Sequence, residues 1–169
     1  MLEVTILVLF PVLMAYAAAS DLLTMTISNR VSIALVAGFV AVALASGMPP
    51  MTLIENHIAC GLAVLTLTFT LFAFGWIGGG DAKLAASTAV WLGWTHLFDY
   101  GLTASVLGAG LTFGILALRK IDLPAPLSGQ VWIARLHSAG NGVPYGIALA
   151  VAGLALYPDT AVWASLATV

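Results

Sequence analysis

The sequence has few charged residues for its length. Of its 169 residues, 7% are Asp, Glu, Lys or Arg, whereas 62% are hydrophobic and the mean hydropathy is +1.09. A water-soluble domain carries roughly a quarter charged residues, because its surface must be solvated. Five basic and seven acidic side chains cannot cover a protein of this size. Lipid must therefore be the solvent for most of the chain.

Cysteine, histidine and basic residues are also scarce, and this narrows the possible functions. The only cysteine, Cys60, excludes an internal disulfide and a zinc site built from several cysteines. The three histidines (His57, His96 and His137) lack the His-x-x-x-His spacing of a metal site, so no metal and no other cofactor is expected. A net charge of −2 leaves no basic surface for nucleic acid.

Long apolar stretches predict an all-α, polytopic membrane protein with about six transmembrane helices in one domain, since about 20 apolar residues cross a bilayer. The predicted spans cover residues 2–20, 31–47, 53–75, 84–98, 102–118 and 143–157. The first stretch ends in small residues, as a cleaved signal peptide does, but it begins with Glu3 and has no basic residue. We therefore expect it to be retained as a helix.

The basic residues predict the orientation of these helices. All five fall in the loops after the first, third and fifth spans: Arg30, Lys83, Arg119, Lys120 and Arg135. The positive-inside rule places those loops in the cytoplasm and both termini outside. The last of these loops contains an amphipathic stretch, residues 131–136, which we interpret as a short interfacial helix.

Two aspartates follow predicted spans on the cytoplasmic side. Asp21 comes after the first span, and Asp81 comes after the third and after Gly78, Gly79 and Gly80. A carboxylate among apolar neighbours costs free energy unless it is paired or lies in a wet cavity. Two facing carboxylates share a proton more easily than both ionise, which gives an acid beside a base that can activate water. Glycines allow another backbone, such as an extended peptide, to approach closely.

The same residues have simpler explanations. Asp21 can lie solvated at the interface or cap the second helix, and Asp81 can cap the fourth. Intramembrane acids also serve proton-coupled transporters, which would need them near the bilayer midplane with a pathway open to both faces. A non-catalytic subunit of a pilus or secretion machine would not require Asp21 and Asp81 to meet.

Three segments together resemble one known family. Residues 78–81 (Gly-Gly-Gly-Asp) fit the Gly-x-Gly-Asp signature of intramembrane aspartic peptidases, and residues 78–84 closely resemble the type IV prepilin peptidases. Residues 21–29 resemble the first motif of that family, although Ser28 stands where many relatives have proline. Residues 143–148 (Val-Pro-Tyr-Gly-Ile-Ala) resemble the start of the last helix in its short CpaA/TadV-type members, which serve tight-adherence (Flp) pilus systems.

The resemblance implies an aspartic endopeptidase in the bacterial inner membrane, with Asp21 and Asp81 as the catalytic pair and no metal. The residues that would shape the site or bind substrate are Gly78, Gly80, Lys83 and Asn29. The substrate would be a prepilin with a basic leader and a hydrophobic helix, cleaved at the cytoplasmic face. Larger members also carry a cytoplasmic domain with Cys-x-x-Cys motifs, which are absent from this sequence, so N-methylation of the pilin is not predicted.

Overall fold

The computed structural model describes residues 2–124, 127 and 129–164, and within these ranges every regular element is helical. The predicted all-α class is therefore confirmed. The helices are α1 (Leu2–Thr24), α2 (Asn29–Ala45), α3 (Pro50–Ala73), α4 (Gly79–Leu118), α5 (Val131–His137), α6 (Gly146–Leu156) and α7 (Ala161–Ala164). Helix α3 contains a π-helical segment at Leu53–Ile58, and a 3-10 turn, Tyr157–Asp159, follows α6.

Three of the described helices are long and apolar enough to cross a membrane: Glu3–Thr24, Pro50–Ala73 and Gly79–Leu118. Two shorter apolar helices cover Asn29–Ala45 and Gly146–Asp159. These lengths and compositions are those of a multi-pass membrane protein.

Helix α4 folds back on itself at Gly93, which has a φ of 66° and a ψ of −177°. Only glycine adopts this combination without strain. Residues 79–92 and 94–118 therefore form two arms, which we call the N-terminal and C-terminal arms of α4. One cavity is lined by both Asp81 and Ser105, so the arms lie side by side; in a straight helix these residues would be about 36 Å apart.

The position of this reversal differs from the sequence prediction, which places the fourth span at 84–98 and the turn after it. The turn lies earlier because Gly93 accepts the positive φ and because its neighbour is fixed on α3. The Trp94 backbone N–H donates to Asn56 Oδ1 at 3.2 Å, and Trp94 Nε1 donates to the Glu55 carbonyl at 2.9 Å.

Aromatic side chains fill the core between α1, α2, the N-terminal arm of α4 and the segment after α6. Trp91 is fully buried, and its Nε1 donates to the Leu35 carbonyl at 2.9 Å. The rings of Phe10, Phe39 and Tyr157 surround it with centroid distances of 5.0, 5.4 and 5.8 Å. Between membrane helices such close packing, rather than the hydrophobic effect, supplies the association energy. The core thus fixes α1 against α4, the two helices that carry Asp21 and Asp81.

Candidate active site

Asp21 lies near the end of α1 and is buried, with 6% of its surface exposed. The backbone N–H of Gly146 donates to Asp21 Oδ2 at 2.8 Å. Gly146 is the first residue of α6, where backbone N–H groups have no partner within the helix and the helix dipole is positive. A carboxylate is well matched to this position, and the start of α6 therefore holds one oxygen of Asp21 in place.

Gly146 can approach Asp21 only because it has no side chain. A Cβ atom at this position would lie 2.7 Å from Asp21 Oδ2 and 2.6 Å from Ile27 Cδ1. Both distances are too short for a real contact, so any other residue would displace the carboxylate or the loop after α1.

Asp81 is the third residue of α4 and is half-buried. Its carboxylate lies against the backbone of Gly78, where an added Cβ atom would be 2.8 Å from Asp81 Oδ2. The helix begins immediately at this point, since the Ala82 N–H donates to the Gly78 carbonyl at 3.0 Å. Gly78 thus leaves room for the acid at the positive end of α4.

One cavity of about 250 Å³ brings the two aspartates together. It is lined by Asp21, Met25, Thr26, Ile27, Gly78, Gly79, Gly80 and Asp81. We call it the aspartate cavity. The two carboxyl groups stand 60 positions apart in the sequence, yet both line this one cavity. A pair of carboxyl groups beside bare peptide backbone can hold a water molecule between a general base and an acid.

The loop between α1 and α2 closes one side of this cavity. Ser20 Oγ donates to the Thr26 carbonyl at 2.8 Å, and Met25 adopts a left-handed backbone with a φ of 56°, which is uncommon for a residue other than glycine. Ile27 is buried against Gly80, where an added Cβ would be 3.3 Å from Ile27 Cβ. Gly80 therefore permits close packing of the two aspartate motifs.

Lys83 and Asn29 form a pair beside the aspartate cavity rather than within its lining. Lys83 Nζ donates to Asn29 Oδ1, and this contact joins the start of α4 to the start of α2. The side chain that caps α2 is Ser28, whose Oγ accepts a hydrogen bond from the Arg30 N–H at 3.3 Å. The structure therefore places Gly78 and Gly80 directly at the two aspartates, and Lys83 and Asn29 next to them.

The sequence analysis did not identify Gly146, or the residues that position it, as part of the site. Gly146 belongs to the motif at residues 143–148, which was the signal that could have indicated it. Tyr145 Oη donates to the Ala104 carbonyl at 3.0 Å. Its ring packs on Gly108, where an added Cβ would lie 2.0 Å from a ring carbon. The C-terminal arm of α4 thereby fixes the start of α6, which in turn holds Asp21.

Basic side chains fasten the segment between α4 and α6 at this same end of the bundle. Arg119 Nε donates to the Leu136 carbonyl at 2.8 Å, and its Nη2 donates to the carbonyls of Asn141 and Gly142 at 2.9 Å each. Arg135, in the predicted short helix α5, donates from Nη1 to the Leu23 carbonyl at 2.8 Å.

Among the residues that the structure describes, no three His, Cys, Asp or Glu side chains are grouped as a metal site.

Comparison with known proteins identifies the family of this chain. The model of the type IV leader peptidase family matches residues 8–113, which include Asp21 and Asp81. The prepilin leader peptidase/N-methyltransferase of Pectobacterium carotovorum subsp. carotovorum is 40% identical over 58 residues, which is 34% of this chain and 21% of that relative. The chain thus matches about a fifth of the relative's length. No solved structure matches. Because the family match covers more than half of the sequence, the chain belongs to the type IV leader peptidase family.

Proposed function

We propose that this chain is an aspartic endopeptidase that removes the leader peptide of prepilins at the cytoplasmic face of the bacterial inner membrane. One observation carries the proposal: Asp21 and Asp81, from separate helices, line a single cavity beside three glycines. The family match and the similarity to the prepilin leader peptidase/N-methyltransferase of Pectobacterium support a prepilin as the substrate. The Val-Pro-Tyr-Gly motif at residues 143–146 favours a pilin of the tight-adherence (Flp) class.

The proposed reaction is hydrolysis by a water held between the two carboxyl groups. The ionised aspartate takes a proton from the water, and the water oxygen bonds to the carbonyl carbon before the scissile bond. The protonated aspartate donates a hydrogen bond to the carbonyl oxygen and supplies a proton to the leaving amine as the C–N bond breaks. The products are a leader with a new carboxyl group and a pilin with a new amino group.

The surroundings of the two acids support these roles. The Gly146 N–H holds Asp21 Oδ2, which leaves Oδ1 for the water. The backbone at Gly78, Gly79 and Gly80 borders the cavity without side chains, so an extended peptide can lie close to Asp81. The peptide would approach Asp81 most closely if the substrate residue before the scissile bond is glycine.

The cytoplasmic location is supported by charge. Lys83, Arg119 and Arg135 make their hydrogen bonds at the end of the bundle that holds Asp21 and Asp81. Basic residues concentrate on the cytoplasmic side of membrane proteins. A basic leader would remain on that side, where the aspartate cavity would meet the bond between leader and hydrophobic helix.

The two rival functions receive less support. A proton-coupled transporter would need its acids near the middle of the membrane, but Asp21 lies close to the end of α1 and Asp81 at the beginning of α4. A non-catalytic assembly subunit would give no reason for the two acids to share one cavity.

The proposal is tested with purified protein in liposomes and a synthetic prepilin peptide with a basic leader, a glycine and about 20 apolar residues. The wild type should release the leader at one bond. Asp21→Asn and Asp81→Asn should each slow cleavage by about 10³-fold or more, because each removes one proton-transfer group. Asp122→Asn, which changes an exposed loop acid, should cleave normally. Normal cleavage by both site variants would refute the assignment.

A further inference from the structure

A second cavity, of about 540 Å³, adjoins the aspartate cavity at Asp81, which lines both. It lies between α3, the two arms of α4 and the beginning of α6, and its other lining residues are mostly apolar. We call it the apolar groove. The two cavities differ in chemistry but meet at one carboxyl group, so a ligand can occupy both at once.

Three of the polar side chains along the apolar groove already donate hydrogen bonds within the protein, and the two others that line it are Tyr100 and Asp81. Thr68 Oγ1 donates to the Val64 carbonyl at 2.7 Å, Ser105 Oγ to the Gly101 carbonyl at 2.6 Å, and Tyr145 Oη to the Ala104 carbonyl at 3.0 Å. An extended peptide in the groove would therefore leave most of its N–H and C=O groups unpaired in a lipid environment. A helix satisfies these groups internally, so the groove suits an apolar helix.

The C-terminal arm of α4 lines the groove with small residues at Gly101, Ala104 and Ser105. Small residues let two membrane helices approach closely, and such packing drives their association. The rim is open to lipid, since Phe98 is 78% exposed and Leu102 is 55% exposed. A helix already in the bilayer can thus enter from the side.

The length of the groove limits what it can hold. Its lining on this arm extends from Leu97 to Ser105, which is about 12 Å, or roughly two helical turns. A third cavity, of about 430 Å³, lies between α2, α3 and α4. It is also apolar, but neither Asp21 nor Asp81 lines it, so a helix bound there would not be presented to the two acids.

We propose that the apolar groove binds the first two turns of the substrate's hydrophobic helix, immediately after the scissile bond, and that Gly101 keeps the groove open. The inference rests on the proposed function, which supplies a substrate of this form. The leader side of the peptide crosses the aspartate cavity in extended form, and the chain becomes helical beyond Asp81. The groove then determines how the scissile bond is aligned.

Gly101 offers a direct test because a Cβ atom there meets no atom within 4 Å, so larger side chains project into open space. With the synthetic prepilin peptide in liposomes, Gly101→Ala, Gly101→Leu and Gly101→Phe should lower kcat/KM progressively, at least about tenfold for Phe, the size expected when helix packing is lost. The control is Gly114→Phe, on the same arm, also in open space and outside the groove lining; it should cleave as the wild type does. Equal loss at both positions, or no loss at Gly101, would overturn the proposal.

Cross-linking tests the same groove without cleavage. Gly101→Cys is combined with Cys60→Ser and Asp21→Asn, and prepilin peptides carry one cysteine at successive positions after the scissile bond. Disulfides should form with a period of three to four residues over the first two turns. Absent or non-periodic cross-links would refute helix binding in the groove. Periodic cross-links without cleavage by the wild type would refute the proposed peptidase activity. Cleavage by the wild type without cross-links would refute only the binding of the substrate helix in the groove.

Discussion

At the scale of single residues, Asp21 is positioned by a backbone group. The Gly146 N–H at 2.8 Å comes from α6, far along the chain from either aspartate motif. The sequence indicates both acids as candidate site residues, because a carboxylate next to an apolar span costs free energy unless it is paired or solvated. It does not indicate this partner, because a backbone N–H is common to every residue except proline and leaves no compositional trace.

Gly146→Ala should reduce cleavage by about 10²-fold, because a displacement of about 1 Å at a reacting group has an effect of that order. The added Cβ would lie 2.7 Å from Asp21 Oδ2. The measurement is kcat/KM with the synthetic prepilin peptide. Gly142→Ala, in the same segment but with open space around the Cβ, should cleave normally. A Gly146→Ala variant as active as Gly142→Ala would show that the contact has no role.

At the scale of helices, the turn at Gly93 decides how the two arms of α4 pack. The sequence predicts two spans here, but it places the turn near residues 99–101, where Asp99 and Gly101 look like a loop. Residues 84–98 read as one apolar stretch, and nothing local distinguishes Gly93 from a helical glycine. The contacts of Trp94 with α3 select the turn, and these are tertiary.

Gly93→Ala should destabilise the fold by about 1–3 kcal/mol, since its φ of 66° is unfavourable for a residue with a side chain. The new Cβ would also lie 3.1 Å from Asn56 Nδ2. Thermal unfolding in detergent should therefore occur at a lower temperature. Gly110→Ala, with open space around the Cβ on the C-terminal arm, should unfold at the wild-type temperature or above it. Equal unfolding temperatures for the two variants would contradict the left-handed turn at Gly93.

Arg119 makes three of the hydrogen bonds that attach the segment between α4 and α6. Arg119→Gln should slow cleavage several-fold, because three carbonyls that lead toward Gly146 lose their donor and each bond contributes about 1 kcal/mol. Lys120→Gln removes the same charge from the exposed neighbouring residue and should leave kcat/KM unchanged. If both variants lose activity equally, the effect is one of charge and the proposed positioning is wrong.

At the scale of the whole molecule, composition predicts the all-α class and the membrane environment, and charge predicts one basic end. The structure groups Lys83, Arg119 and Arg135 at the aspartate end, as the loop assignments lead one to expect. The distance between the two aspartates could not be obtained in this way, because it depends on how α1 packs on α4. The aromatic core around Trp91 determines that packing.

The orientation proposed for the bundle is tested by cysteine labelling in the Cys60→Ser background. Asp159→Cys, at the end opposite the aspartates, should react with a membrane-impermeant maleimide in intact spheroplasts. Lys120→Cys, at the basic end, should react only after permeabilisation, because basic segments remain in the cytoplasm. The reverse pattern would place the aspartate cavity outside the cell and exclude cleavage at the cytoplasmic face.

The most direct measurement of the central claim is a double-mutant cycle on the two aspartates. The rate of prepilin peptide cleavage is measured for Asp21→Asn, Asp81→Asn and the variant with both changes. Groups that act on one water are not additive, so the double variant should be no slower than the slower single variant. Multiplied losses, or a wild-type rate in either single variant, would contradict a catalytic pair formed by Asp21 and Asp81.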